Sequence, residues 1–129
     1  MKMGIYSQCE RDLHLHNIQL SSCNERDLLV IFSVSGEAKD RGELAAAARK
    51  GGMKIIVVTS YERFPLTRYA DIALAAVPCE HPVEAVSLTG KVVQIFLVDV
   101  LCPGIYCSDR TLYDKRIAKS NASAIGKLV

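Results

Sequence analysis

The residues best suited to chemistry form one short segment, Ser33-Val34-Ser35-Gly36-Glu37, between an apolar run and a segment of helical composition. Backbone N–H groups at the start of a helix have no intrahelical partners, and with the two serine hydroxyls they form a receptor for an anion such as phosphate. Gly36 allows the backbone to approach that anion closely. The alternative is that Ser35 only caps the helix while Ser33 satisfies a turn. The spacing by itself leaves both interpretations open.

Two carboxylates, Glu80 and Glu84, are the weak candidates for acid–base catalysis. They follow the third apolar run, where a carboxylate could shuttle a proton between neighbouring carbon atoms of a bound substrate. Glutamate is also common in the first turn of a helix, and the sequence favours this second interpretation. We therefore predict no catalytic residue and leave enzymatic activity open, with binding as the preferred function.

Metal-binding patterns are absent or incomplete. Cys79, Glu80 and His81 are adjacent, but no second ligand pair has the spacing of a zinc site. His14 and His16 are two residues apart, so on a helix their side chains point in different directions. The sequence predicts neither a metal nor a cofactor.

The elements that must position the serines are those of an α/β protein. Three short, continuous apolar runs are typical of parallel strands covered on both faces: Leu28–Phe32, Ile55–Thr59 and Ile72–Val77. Between the first two, Glu37–Lys50 is rich in Ala and Leu, and we expect Gly51 to stop this helix. A strand, helix and strand in this order imply a three-layer helix/sheet/helix sandwich with a mainly parallel sheet. Ligands of such sheets bind at the carboxyl ends of the strands, where Ser33 lies.

The flanking segments predict further elements. We expect a short strand at Met3–Ser7, a helix at Glu10–Leu20, a long helix at Glu84–Leu101 and a final helix from about Asp109. The second half of Glu84–Leu101 is apolar nearly all round, so it must be buried against the sheet and against a second subunit. The pattern therefore predicts a homodimer or higher homo-oligomer.

Composition restricts the class of protein. The 129 residues fit a single domain, 1–129, and a net charge of +2 gives no signal for polyanion binding. The basic residues are interspersed with acids: Lys39, Arg41, Arg49, Arg63, Arg68, Lys115 and Arg116. We expect no direct nucleic-acid binding by this chain.

Cysteine usage and hydropathy indicate the compartment. Five cysteines without framework spacing, and no evident signal peptide, predict reduced thiols in a cytoplasmic protein. The most apolar run, Val92–Leu101, has about half the length that a membrane span requires. We therefore expect no membrane role.

The segment Ser33–Glu37 resembles the Ser-x-Ser-Gly-Glu-Thr signature of SIS (sugar isomerase) domains, and the similarity extends over about residues 2 to 107. Further matches are Gly52–Thr59, Pro65-Leu66, Ala70-Asp71 and Lys91–Leu101, the last resembling regulators of the RpiR type. The resemblance implies a Rossmann-like fold and a phosphosugar ligand. It also implies a domain truncated at the amino terminus, without the family's first strand and helix and without the preceding helix-turn-helix domain.

The resemblance also assigns a ligand-binding set. The hydroxyls of Ser33, Ser35 and Thr59 would surround the sugar phosphate, with Val34 and Gly36 offering backbone N–H groups. In this sequence Ala38 replaces a threonine whose hydroxyl usually faces the phosphate, which implies a weaker affinity.

Three functions are compatible with this pattern. The first is a non-catalytic sugar-phosphate sensor, the effector-binding domain of an RpiR-type transcriptional regulator. The second is an aldose–ketose isomerase of sugar phosphates, which would require a general base near C1 and C2. The third is a dimerisation module that has lost ligand binding.

Overall fold

The computed structural model describes residues 3–9, 12–33, 39–60, 65–76 and 88–125. Its elements in chain order are α1 (Leu13–Ser22), β1 (Leu28–Ser33), α2 (Lys39–Lys50), β2 (Lys54–Thr59), a 3₁₀ helix (Pro65–Tyr69), β3 (Ile72–Ala75), α3 (Leu88–Ser108) and α4 (Arg110–Ile125). Two compact units are distinguished, Glu10–Leu97 in one and Met1–Cys9 with Val98–Val129 in the other.

The unit Glu10–Leu97 contains a parallel sheet of three strands in the order β1-β2-β3. The helix α2 connects β1 to β2 and packs on both strands, while the 3₁₀ helix packs on α2. The core is formed by buried side chains from these elements: Ile31, Ala45, Ala48, Met53, Ile55, Val57 and Leu66. The predicted α/β class with a parallel sheet is confirmed.

Coverage of the sheet differs between its strands. Val57 and Val58, which point to opposite faces of β2, are both fully buried. On β1 only alternate residues are covered, and Leu28, Val30 and Phe32 are exposed. The prediction of strands covered on both faces is therefore met by β2 and not by β1 or β3, whose burial pattern leaves Ile72, Ala73 and Ala75 exposed. The reason is positional, because β1 and β3 lie at the edges of the described sheet.

The end of α2 is set by Gly52 rather than by the predicted Gly51. Gly52 has φ of 82°, in the left-handed region that glycine adopts without a steric penalty. The N–H of Met53 donates to the carbonyl of Ala48, and the N–H of Gly52 donates to that of Arg49. These two bonds form a Schellman motif, which satisfies carbonyl groups of the last helical turn and directs the chain into β2.

The amino-terminal helix starts later than predicted. Asp12 is its N-cap, and its carboxylate accepts a hydrogen bond of 2.7 Å from the backbone N–H of His14. An aspartate in this position satisfies one of the unpaired donors of the first turn, so α1 begins at Leu13 and continues to Ser22.

The second unit consists mainly of α4 and the carboxyl-terminal part of α3. Asp109 caps α4 through a 3.0 Å bond from the N–H of Leu112, and the hydroxyl of Tyr106 donates to Asp114 at 2.7 Å. The predicted strand at Met3–Ser7 is wrong, because this segment is a turn and irregular chain with Gly4 at φ of 67°.

The helix α3 is longer than predicted, since it continues past Leu101 through Pro103 and Gly104 to Ser108. Within the described part of the chain, the stretch Thr89–Ser108 is long and apolar enough to cross a membrane by length and composition, and little of it is buried. The expectation drawn from the shorter run Val92–Leu101 therefore underestimated its length.

Candidate functional site

Two of the predicted ligand-binding hydroxyls are brought together by the sheet. Ser33 and Thr59 are the last residues of β1 and β2 and are partners in the parallel register. Each is only 1% exposed. They lie at the carboxyl edge of the sheet, the edge at which α/β proteins bind ligands. Thr59 is paired in turn with Ala75, and its carbonyl accepts a 2.7 Å bond from the N–H of Ala76.

Ser60 places a third hydroxyl at the same edge. It follows Thr59 directly and is 2% exposed, and its buried Oγ has no hydrogen-bond partner among the described residues. A buried polar group in this state costs about 1–3 kcal/mol of folding free energy. Sequence reasoning missed Ser60, because a serine after a strand is ordinary in turns.

Arg41 contacts the site from the first turn of α2. Its Nη1 donates a hydrogen bond of 3.2 Å to Ser33 Oγ, and its side chain is half-buried. In the sequence Arg41 is one of the interspersed basic residues, and no role in binding was predicted for it. A signal was present, because a cation in the first turn of a helix opposes the helix dipole and so needs a local reason.

The remaining predicted site residues lie outside the described residues. They are Val34, Ser35 and Gly36 of the ligand-binding set and the weak catalytic candidates Glu80 and Glu84. Cys79 and His81 of the incomplete zinc pattern lie outside as well. In the described ranges, no group of three or more His, Cys, Asp and Glu side chains is placed to hold a metal ion.

An ion-pair cluster around Asp71 lies at the amino ends of β2 and β3, at the edge of the sheet opposite the carboxyl ends. Its carboxylate accepts a hydrogen bond from the backbone N–H of Ile55 at 2.9 Å, and contacts Arg49 Nη1 at 3.0 Å and Lys54 Nζ at 3.3 Å. The bond from Ile55, followed by the contact with Lys54, holds the pKa of Asp71 below its ordinary value. Because these groups satisfy one another, this cluster is structural and the candidate binding site is at the carboxyl edge.

Comparison with known sequences identifies the family. The sequence model of the SIS domain matches residues 4–102. This chain belongs to the SIS domain family. The buried hydroxyls of Ser33 and Thr59 at the carboxyl edge of its sheet are therefore those of an SIS domain, and the resemblance carried by Ser33–Glu37 is confirmed.

One curated relative of this SIS domain is an uncharacterised HTH-type transcriptional regulator of Clostridium perfringens (strain 13 / Type A). The two are 33% identical over 101 residues, which is 78% of this chain and 36% of the regulator. The resemblance to regulators is thus supported by sequence over most of the chain.

Two solved structures share the fold of this SIS domain. The Vibrio vulnificus NanR protein complexed with ManNAc-6P matches with a TM-score of 0.83 and 25% identity, over 99% of this chain and 48% of NanR. A crystal structure of a hypothetical protein matches with a TM-score of 0.63 and 17% identity, over 90% and 59% of the two chains. The second likeness concerns the fold alone. The chain spans about half the length of NanR and about a third of that of the Clostridium regulator.

Proposed function

We propose that this SIS domain binds a small phosphorylated sugar and is the effector-sensing part of a transcriptional regulator of the RpiR type. The observation that carries the proposal is the pairing of Ser33 with Thr59, which places two buried hydroxyls side by side at the carboxyl edge of the sheet. The structural likeness to NanR complexed with ManNAc-6P supports a phosphosugar as the ligand.

The sensor acts as a homodimer. In the unit Glu10–Leu97, α3 exposes Val92 (53%), Ile95 (68%) and Phe96 (66%), which is more apolar surface than a helix of a soluble monomer normally presents to water. A second copy of the chain would cover these side chains. Ligand binding can then regulate the dimer if two arrangements of its subunits bind the sugar phosphate with different affinities.

A protein contact explains α3 better than a membrane does. The helix carries Lys91, Gln94 and Asp99 within the stretch that would lie in the bilayer, and Gln94 is buried on the protein side. Charged and amide groups inside a hydrocarbon layer are costly. The proposed location is therefore the cytoplasm, and DNA contacts belong to another part of a regulator rather than to this domain.

The experiment is a calorimetric titration of the chain with a panel of hexose, pentose and amino-sugar phosphates, beginning with ManNAc-6P. The double variant Ser33→Ala plus Ser35→Ala removes the hydroxyls of the signature, and Ser123→Ala, at an exposed position on α4, is the matched control. We expect saturable binding of one compound by the wild type and by the control, and a loss of affinity of about 10-fold or more in the double variant.

The same samples separate the alternative functions. Interconversion of an aldose phosphate and a ketose phosphate, followed by ¹³C NMR, would identify a sugar-phosphate isomerase and overturn the sensor. A stable dimer that binds no member of the panel would identify a dimerisation module without a ligand.

A further inference from the structure

We propose that Arg41 is a phosphate-binding residue of this domain, which holds the phosphoryl group of the ligand together with Ser33. This inference deepens the proposed function and rests on it. It adds a cationic side chain from α2 to a site that the signature segment Ser33–Glu37 describes only in terms of hydroxyl and backbone N–H groups.

Arg41 contacts Ser33 directly. Arg41 is on the first turn of α2, and its side chain reaches the end of β1, where Nη1 donates to Ser33 Oγ at 3.2 Å. A guanidinium has five N–H donors and always carries its charge. One bond to a neutral hydroxyl leaves most of this donor capacity for a second acceptor at the same place.

Arg41 has no carboxylate partner in the part of the chain that the structure describes. Among the described residues the ion pairs are those of Asp71 with Arg49 and Lys54, and Arg41 takes part in neither. Its side chain is half-buried, and a partly buried cation that has no carboxylate partner among the residues described is unfavourable. It is also in the first turn of a helix, where the dipole repels a positive charge. An anion bound at this edge would remove both penalties.

The hydroxyl of Ser60 is a further group at this site that a ligand could complete. This group is buried at the same edge of the sheet, next to the register partner of Ser33, and has no hydrogen-bond partner within the described ranges. A guanidinium without an anion and a hydroxyl without a partner are both completed by a ligand with several acceptor oxygens. A phosphate monoester is such a ligand, and arginine binds it through two parallel N–H···O bonds.

The test compares Arg41→Gln and Arg41→Lys with the wild type, using ManNAc-6P or the tightest binder of the panel, its unphosphorylated sugar, and inorganic phosphate. Arg26→Gln is the matched control, because Arg26 is an exposed arginine two residues before β1, at the other end of that strand. It removes the same charge from the chain at a distance from the site.

We expect Arg41→Gln to lower the affinity for the sugar phosphate and for inorganic phosphate about 10- to 100-fold, because it removes a charge-assisted contact. Arg41→Lys should have a smaller effect, since the charge is kept while the paired donors are lost. Binding of the unphosphorylated sugar should not change, and the melting temperature without ligand should stay the same or rise, because Arg41→Gln removes a cation from the start of a helix. If Arg41 had a merely structural role, Arg41→Gln would instead lower that melting temperature and reduce the affinity for all three ligands alike.

The outcomes distinguish the two proposals. If Arg41→Gln binds the sugar phosphate as tightly as the wild type while Ser33→Ala does not, the role of Arg41 is overturned and the sensor function stands. If the wild type binds no sugar phosphate and no inorganic phosphate, both proposals fail. A measurement on the wild type needs no variant to fold, because a bound phosphate should shift the NMR signal of the Arg41 Nε–H group, and an unchanged signal at saturation would overturn the contact.

Discussion

Asp71 and Ile55 are joined by two hydrogen bonds in opposite directions. The backbone N–H of Asp71 donates to the carbonyl of Ile55 at 2.8 Å, and the N–H of Ile55 donates to the Asp71 carboxylate at 2.9 Å. The start of β3 is thereby fixed on the start of β2, with Arg49 of α2 pairing with the same carboxylate. One side chain thus connects three elements at the edge of the sheet opposite the candidate site.

Replacing Asp71 with Asn should lower stability in a pH-dependent way. The pKa of Asp71 is lowered from its ordinary value of 3.8, first by the bond from Ile55. A carboxyl whose folded-state pKa is depressed stabilises the fold above its unfolded-state pKa and loses this contribution as the pH falls through the folded value. Urea denaturation should be measured from about pH 7 to about pH 2. The difference in the free energy of unfolding between the wild type and Asp71→Asn should be constant near neutrality and shrink below about pH 4. A difference that did not vary with pH would contradict the assignment.

The buried face of β2 should be far more sensitive to truncation than the exposed face of β3. Ile55 is fully buried, whereas Ile72 is 51% exposed. Ile55→Ala should lower the free energy of unfolding by about 2–5 kcal/mol, since it removes buried methyl groups and leaves a cavity. Ile72→Ala, the same chemical change, should cost about 1 kcal/mol or less. Chemical denaturation of both variants decides the matter, and equal losses would mean that Ile72 is covered in solution.

The two glycines that follow α2 should differ in their response to alanine. Gly52→Ala forces a side chain into the left-handed region and should destabilise by about 1 kcal/mol. Gly51 does not have a positive φ, and a Cβ there would meet the carbonyl oxygen of Ala48 at an ordinary 3.5 Å. Gly51→Ala should therefore be neutral or stabilise by up to about 1 kcal/mol, because it restricts the unfolded chain. Thermal melts of both variants check the assignment of the cap. A melting temperature lower for Gly51→Ala than for Gly52→Ala would contradict it.

A charge on the apolar surface of α3 should dissociate the proposed dimer. Phe96 is 66% exposed within the unit Glu10–Leu97, and Phe96→Glu would place a carboxylate in the contact with the second copy. Analytical ultracentrifugation should find a dimer for the wild type and a monomer for the variant. The control is Lys91→Glu, an exposed and already polar position on the same helix, which should leave the dimer intact. A monomeric wild type would refute the proposed assembly.

The fold was predictable where the sequence signal is local and repeated. Continuous apolar runs located β1, β2 and β3 to within a few residues, although only the central strand β2 is covered on both faces in the described sheet. The same reasoning failed at Met3–Ser7, where Gly4 adopts a left-handed turn. It also ended α3 too early, because Pro103 and Gly104 usually stop a helix and here do not.

The candidate site was only partly predictable, for a different reason. Ser33 was recognisable because it closes an apolar run before a helix, whereas Thr59 was assigned by the resemblance to SIS domains. Parallel strands bring the carboxyl ends of both runs to one edge. The contact of Arg41 with Ser33 depends on where a long side chain turns after the helix has formed, which no spacing in the sequence specifies. The unpaired hydroxyl of Ser60 likewise depends on what surrounds it in three dimensions.

The parallel pairing of β1 with β2 also determines the order in which this sheet can form. Leu28 pairs with Lys54 and Ser33 with Thr59, and α2 lies between the two strands in the chain. The strands therefore cannot form their hydrogen bonds until all of α2 has been synthesised. Such long-range pairing is slow compared with helix formation, because the entropy of loop closure is lost before the contacts form. During synthesis β1 leaves the ribosome first, and its unpaired backbone groups and the side chain of Ile31, which is buried in the folded domain, remain available to chaperones and to other nascent chains until β2 arrives.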